Sequence, residues 1–351
     1  MITSNCVLLT IIVLSSPVNC EVFENVSLSL STQWQKLFIH GQPPRETVFI
    51  ESSNSLGEYV NLQPLELVTI TNQEILELKE DSLANLPNIY SIHITSSGIK
   101  KIEPGTFKNV PKLDYVNLSD NRIEQIEDGV FTNLQLRALY LQNNKISKLG
   151  AAAFNNMTLL TEIVLSYNKI STWNSDWFIG TRVGSVYIAH NMIEELPADV
   201  FAYIFPFKRI NAHLTVWNFI ISNNGLKKVH EDAFRNVNGF GIISLANNSL
   251  EYLPSKVFRW VKGVNVLDLK NNQISNIDGL FDDISIKYLH LDDNRLSCFP
   301  TDIFYVSIIN HVLINRNPLT CNCFEHWKQW QKRNNVVVFY SKQQEKCIGT
   351  V

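Results

Sequence analysis

A frame of apolar residues, asparagine and phenylalanine recurs along this chain at a near-constant interval, and it constrains the fold more than any other feature. In one copy Leu113, Val116, Leu118, Ile123 and Ile126 fall at relative positions 1, 4, 6, 11 and 14, with Asn121 at position 9 and Phe131 at position 19. The frame begins at Leu65, Ile89, Leu113, Leu136, Leu160, Val183, Val216, Phe240, Val264, Ile286 and Ile309, at spacings of 24, 24, 23, 24, 23, 33, 24, 24, 22 and 23 residues. A unit this short cannot bury its own apolar face. Eleven of them in series predict an elongated stack in which each coil covers the next.

Each repeated position has a physical reason. Positions 4 and 6 point the same way on a short strand, because side chains alternate with period two. Position 9 is Asn at residues 121, 144, 168, 191, 224, 248, 272, 294 and 317, with Gln73 and Ser97 in the first two coils. A buried amide there can bond the backbone of its own turn and of the adjacent coil, satisfying groups that a tight turn would strand. Position 19 is Phe at 107, 131, 154, 178, 201, 234, 258 and 304, with Phe281 one residue early and Leu83 in the first coil. Stacked coil on coil, these rings predict an apolar spine on the convex side. Both rows are scaffold and not a site.

On these repeats the sequence is identified as a member of the extracellular leucine-rich-repeat proteins, in the class with coils of roughly 24 residues. The resemblance covers residues 65 to 351. It implies an α/β repeat fold: a curved solenoid (horseshoe) of about eleven coils, with a parallel β-sheet on the concave face, loops or short 3₁₀ turns outside, and a cap at each end. Asn317-Pro318-Leu319-Thr320-Cys321-Asn322-Cys323, followed by Trp327, Trp330 and Cys347, resembles that family's cysteine-rich C-terminal cap. The solenoid is then expected over 65–319 and a disulfide-bonded cap over 320–351, with residues 324–333 an amphipathic helix. The family's cap has a further cysteine downstream, so the resemblance leaves Cys298 to supply a partner. Cys321–Cys347 with Cys298–Cys323 is the first choice, and Cys298–Cys321 with Cys323–Cys347 stays open beside it. The N-terminal capping region, 21–64, lacks the family's cysteines. There Thr47-Val48-Phe49-Ile50 is expected to form an edge strand covering the first coil.

The first 20 residues point to a secretory compartment. Cys6 to Leu14 is an apolar run of signal-peptide length, followed by Ser15, Ser16 and Pro17 and by small residues suited to cleavage after Cys20. It is too short to span a bilayer, and no second long apolar stretch follows, so no membrane span is expected. Four cysteines remain after cleavage, an even number suited to disulfides in an oxidising compartment. Asn25, Asn117, Asn156 and Asn247 each begin an Asn-x-Ser/Thr acceptor for N-glycosylation.

A net charge of −3 gives no electrostatic case for nucleic acid, and interspersed charges give none for a membrane surface. Neither a phosphate loop, a nucleophile elbow nor a dinucleotide fingerprint occurs. His230-Glu231-Asp232-Ala233-Phe234 starts like a zinc-protease helix and lacks its second histidine. Neither enzymatic activity nor a cofactor is expected. Asp268, Lys270, His290, Asp292 and His311 gather toward the C-terminal end of the concave face. Their spacing matches no cation motif, and no metal is assigned to them.

A binding surface is what remains. Positions 2, 3, 5, 7 and 8 of each coil point off the sheet into the concavity. Position 5 runs Thr69, His93, Asn117, Tyr140, Val164, Tyr187, Ile220, Ser244, Asp268, His290 and Leu313. Within it Tyr140, Val164, Tyr187 and Ile220 make an apolar, aromatic stripe, with Tyr115 at position 3 and Trp217 at position 2 beside it. Aromatics gathered on one exposed face are expected to form an interface core. Stacking along the ladder to stabilise the sheet is the competing reading. A glycan on Asn117 would flank one edge of the stripe. The sixth coil is extended by Ile204 to Thr215, and such insertions map to loops on one face of a repeat array.

The expected function is therefore that of a secreted, non-catalytic recognition protein, alone or as a homo- or hetero-oligomer, binding an extracellular protein through its concave face. A narrower similarity, to insect leucine-rich-repeat immune factors, implies a role in innate immunity. Those proteins often carry a C-terminal coiled coil, which this sequence does not show. An extracellular-matrix or adhesion component and a non-catalytic carrier subunit of a secreted enzyme are the alternatives the sequence leaves open.

Overall fold

The computed structural model describes residues 21–31, 46–60, 65–204, 214–282, 284–298, 308–323, 331 and 336–339. Among these residues one sheet of fourteen strands runs the length of the molecule. Two strands come first, β1 (Phe23–Ser31) and β2 (Glu46–Ser53). Eleven follow, one per coil: β3 (Leu67–Thr71), β4 (Ser91–Thr95), β5 (Tyr115–Asn117), β6 (Ala138–Tyr140), β7 (Glu162–Val164), β8 (Ser185–Tyr187), β9 (Leu214–Ile220), β10 (Val237–Ser244), β11 (Gly263–Asp268), β12 (Ser285–His290) and β13 (Ile308–Leu313). β14 (Val337–Phe339) closes the row, parallel to β13.

The coil strands are all parallel and hold the register the frame demands. Thr69 pairs with His93, His93 with Asn117, Asn117 with Tyr140, Tyr140 with Val164, Val164 with Tyr187 and Tyr187 with Ile220. Positions 4 and 6 lie under the sheet: Val116, Leu118, Leu139, Leu141, Ile163 and Leu165 are fully buried. The return segments are turns. Outside the C-terminal cap, helix among the described residues is limited to Gly57–Val60 and a 3₁₀ turn at Ser175–Phe178. Two-residue parallel bridges, such as Lys148–Leu149 beside Gln125–Ile126, tie some returns together.

Two rows hold one coil to the next. In the first, Asn121 accepts the Ile99 N–H through Oδ1 (3.2 Å) and donates from Nδ2 to the carbonyls of Leu118 (3.0 Å) and Ile94 (2.7 Å). The same three-way bond recurs at Asn144, Asn168, Asn191 and on to Asn317. The second row is the phenylalanine spine. Phe107, Phe131, Phe154 and Phe178 follow one another at centroid distances of 5.6, 6.3 and 5.9 Å. Phe234, Phe258 and Phe281 resume it at 5.5 and 6.4 Å. Between the two runs lies the extended coil, and across it Trp173 and Phe219 of the flanking coils pack edge-on (5.5 Å), with Phe201 against Phe219 (5.0 Å), so additional rings bridge the gap. Residues 205–213 of that coil lie outside the described residues, as does Phe304.

Position 8 carries a backbone feature of its own. In all eleven coils it is left-handed, from Asn72 (φ 57°) through Tyr167 (58°) and His190 (54°) to Arg316 (56°). Asn, Asp and Ser dominate there because short polar side chains tolerate that conformation. Tyr167, His190 and Arg316 are the bulky exceptions, and the rings of the first two stack face to face at 4.1 Å.

The N-terminal cap corrects the sequence reading. Thr47–Ile50 does form an edge strand, within β2, but it sits one strand further out than expected. The strand that covers the first coil is β1, antiparallel to β3 with Ser29 opposite Thr69 and Leu30 opposite Val68. Val26, Leu28 and Leu30 alternate along β1 and are buried, which supplies the apolar underside that the first coil needs. Gln73 extends the amide ladder onto the cap, accepting the Ser27 N–H of β1 at 3.2 Å. At the other end Cys298 is joined to Cys323 (Cα–Cα 5.3 Å), as in the first-choice pairing. Cys321 is also disulfide-bonded. Cys347 and all but one residue of the expected helix at 324–333 lie outside the described residues.

Candidate functional site

The position-5 row crosses the concave face as one in-register line, and its central stretch brings together the stripe expected from sequence. Tyr140 on β6, Val164 on β7, Tyr187 on β8 and Ile220 on β9 are adjacent in that order. All four are half-buried, not freely exposed. Each side chain covers part of its neighbour, as same-face neighbours in a ladder do. The hydroxyl groups are engaged as well. Tyr140 donates to Glu162 Oε1 at 2.9 Å, and Tyr187 accepts from Asn218 Nδ2 at 3.0 Å. Burial, then the hydrogen bond to the Glu162 carboxylate, pushes the Tyr140 phenol well above its ordinary pKa. Burial raises Tyr187 too, with Glu162 adding to the effect and the bonds from Ser185 and Asn218 opposing it. Neither tyrosine ionises at physiological pH, so both act as neutral rings with fixed hydroxyls.

Trp217 is different. It stands on β9, beside the stripe, and is 65% exposed. Its neighbours at position 2 on either side are Gly184 and Gly241, so neither adjoining coil places a side chain at that position beside the indole. A Cβ on Gly241 would come within 2.4 Å of the Trp217 carbonyl oxygen, which excludes any side chain there. A Cβ on Gly184 would lie 3.7 Å from Trp217 Cδ1, an ordinary contact, so packing does not require that glycine. Ile242, one strand over on β10, is 37% exposed and extends the apolar area. The most accessible aromatic of the concave face is thus Trp217, with the tyrosine stripe as its firm flank. The row at position 5 does not single out Ile242 or the two glycines, because the glycines lie at position 2 and Ile242 at position 3, and neither of those rows keeps one residue type from coil to coil.

The N-terminal flank is closed off by charge pairing. Tyr115 is half-buried, and the Arg137 guanidinium lies 5.9 Å from its ring centroid. Arg137 Nε also donates to Asp114 Oδ1 at 2.7 Å, a contact that fixes the arginine over the tyrosine. His93, next along the position-5 row, hydrogen-bonds Ser91 through Nε2 at 2.7 Å, and burial lowers its pKa.

The five C-terminal polar groups do not converge on one point: Lys270 and His290 both lie against Asp268, while Asp292 and His311 are engaged elsewhere. Asp268 takes a hydrogen bond from Ser244 Oγ (3.2 Å) and lies 3.8 Å from Lys270 Nζ. His290 Nδ1 is 3.9 Å from Asp268, whereas Asp292 accepts the Asn315 N–H (2.9 Å). His311 stacks on Tyr288 at 4.6 Å. Among the described residues no three His, Cys, Asp or Glu side chains are placed to hold a metal ion.

The four glycosylation acceptors differ in setting. Asn25 and Asn156 are exposed on left-handed backbone (φ 54° and 58°). Asn247 is half-buried, and its Oδ1 accepts from Asn271 Nδ2 at 2.7 Å. Asn117 lies within β5, and its Oδ1 accepts the Ser119 N–H at 2.9 Å, folding the acceptor back on its own strand. Among the described residues no helix is long and apolar enough to cross a membrane.

Comparison with known proteins bears on the fold. A family model for the leucine rich repeat matches residues 63–123, 87–146, 135–193 and 241–296, together more than half of the chain. A leucine-rich repeat protein from Bacteroides eggerthii DSM 20697 aligns with TM-score 0.55 and 17% identity, covering 80% of this chain and 48% of its own, so the chain spans about half that protein's length. A chain of the octameric complex of Latrophilin 3 (Lec, Olf), Unc5D (Ig, Ig2, TSP1) and FLRT2 (LRR) aligns with TM-score 0.54 and 17% identity, covering 75% and 86%. A chain of the TLR13–ssRNA13 complex aligns with TM-score 0.52 and 19% identity, covering 76% and 43%. No curated protein matches the chain.

Proposed function

For a chain that belongs to the leucine-rich-repeat family, as this one does, we propose a non-catalytic recognition protein that works outside the cell and grips a protein partner on its concave face. The observation that carries this reading is Trp217, two-thirds exposed at mid-sheet between two glycines. Leaving a large aromatic ring uncovered gives up apolar burial that folding would otherwise use, and rings of this kind anchor protein interfaces. Tyr140, Val164, Tyr187 and Ile220 form the pre-organised flank of the anchor, since both tyrosine hydroxyls are already hydrogen-bonded and all four side chains are half-buried, so they lose little freedom on binding. Tyr115, held under Arg137, marks the N-terminal limit of the contact area. The partner we expect is a protein segment with an apolar side chain to set against the indole and donors or acceptors for Asn218 and Glu162.

Secretion belongs to the same reading, as does a role in innate immunity. The first is supported by the apolar leader at 6–14, the acceptor asparagines and the Cys298–Cys323 bond. The test is affinity capture from the native extracellular fluid with wild type, Trp217→Ala, and Tyr252→Ala, an exposed aromatic outside the sheet. Wild type and Tyr252→Ala should retain the same partner and Trp217→Ala should lose it, with all three melting alike. Retention by Trp217→Ala would sink the assignment. Induction of the protein on infection would support the immune role, whereas co-fractionation with matrix would favour an adhesion role.

A further inference from the structure

The N-terminal end of the sheet leaves a second surface open. β2 is its outermost strand, and no described residue pairs with its outer side. Proteins blunt a sheet edge by keeping it short, by placing proline or charged residues (lysine above all) in it, by a bulge, or by covering it. β2 is eight residues long, Glu46-Thr47-Val48-Phe49-Ile50-Glu51-Ser52-Ser53, contains neither lysine nor proline, and carries its two charges, Glu46 and Glu51, outside the central Val48-Phe49-Ile50. It stays in one register with β1 from Glu46 to Ser53. At its centre Phe49 is 59% exposed, while the adjacent Ile50 is fully buried.

We propose that β2 pairs antiparallel with β2 of a second copy of this chain, about a two-fold axis at Phe49. The strand's self-complementarity singles out that partner. Residues directly opposite one another in an antiparallel pair share a face of the sheet. The axis must therefore pass through a residue, since an axis between residues would set inward side chains against outward ones. With the axis at Val48, buried Ile50 falls opposite charged Glu46. With the axis at Ile50, exposed Phe49 falls opposite Glu51. With the axis at Phe49, Val48 meets Ile50 on the inner face. On the outer face Phe49 meets its own counterpart, and Thr47 meets Glu51. Neither glutamate faces a glutamate. The pairing ends at Ser52, whose carbonyl already accepts the Tyr59 hydroxyl at 3.4 Å. The two sheets become one, with both concave faces on the same side, so the dimer offers each binding face twice. This proposal is independent of what the concave face binds.

The test is made on the secreted protein, with Asn25 intact and as Asn25→Gln, so that a glycan one strand in cannot decide the result. At roughly 100 µM, where a dissociation constant in the tens of micromolar leaves most chains paired, wild type should sediment at twice the monomer mass. Phe49→Lys should sediment as monomer with unchanged melting. Under mild oxidation Phe49→Cys should cross-link to itself. Thr47→Cys and Glu51→Cys should cross-link only when mixed, because each lies opposite the other. A wild-type monomer in both Asn25 backgrounds, a dimer indifferent to Phe49→Lys, or cross-linking that ignores position would each overturn the proposal.

Discussion

Replacing Asn168 by alanine tests the bond that ties coil to coil. Asn168 is 8% exposed, accepts the Ile146 N–H at 2.9 Å, and donates to the carbonyls of Leu141 and Leu165 at 3.0 Å each. Alanine leaves one buried amide and two buried carbonyls without that partner. A stranded buried donor or acceptor costs about 1–3 kcal/mol, and a carbonyl that keeps another bond costs less. Both carbonyls keep a donor, Leu141 from Asn144 Nδ2 and Leu165 from Asn191 Nδ2 at 3.0 Å each, so the amide dominates and the total is about 2–4 kcal/mol. At about 2–4 °C per kcal/mol for a chain of this class, the melting temperature should fall by on the order of 10 °C. The assay is urea unfolding followed by circular dichroism, with Lys169→Ala as control. Lys169 is the next residue, exposed, and its loss should change stability by no more than about 0.5 kcal/mol. Were Asn168→Ala to cost under about 1 kcal/mol, like its neighbour, the amide ladder would not be what couples the coils.

Three further outcomes follow from particular contacts. Tyr140→Phe removes the hydroxyl bonded to Glu162 and should cost about 1 kcal/mol; in an ultraviolet pH titration it should also delete a phenol that ionises after the ordinary tyrosines. Burial lowers the His93 pKa below 6.5, so the unfolded chain takes up the proton first. The neutral ring's contribution is therefore intact above about pH 6.5 and is lost as pH falls below it. His93→Gln should flatten the stability profile there by up to about one proton, and parallel profiles would exclude His93 as the cause. Cys298→Ser opens the bond to Cys323, 25 residues away, and should lower stability by about 2–4 kcal/mol in urea unfolding under oxidising conditions. An unchanged midpoint would mean that the cap holds without it.

What could be read from sequence was whatever the coil period repeats. Asn121 and its equivalents, the phenylalanine spine and the strand register all recur at fixed positions, so each copy supports the others. Phe281, one residue out of frame, still reaches the spine and is fully buried. β1 escaped because it is antiparallel and lies outside the frame, and its alternation of Val26, Leu28 and Leu30 has no second copy to reinforce it. The left-handed turn at position 8 has a compositional trace, Asn, Asp or Ser in eight of the eleven coils, but the coil imposes the same backbone on Tyr167, His190 and Arg316, where residue type gives no sign of it. The stripe is legible as a row but its exposure is not, since burial of Tyr140 and Tyr187 depends on what each neighbour covers. The prominence of Trp217 arises from Gly184 and Gly241 in two other coils, a relation visible only when position 2 is followed from strand to strand.

The most direct test of the central claim is hydrogen-exchange mass spectrometry of the protein with and without its captured partner. Binding at the concave face should slow exchange in the peptides that span 184–187, 217–220 and 241–244, where Trp217 and its flank lie, and leave the outer turns around Asp199–Tyr203 unchanged. Protection confined to those outer turns, with none across the Trp217 strands, would contradict it.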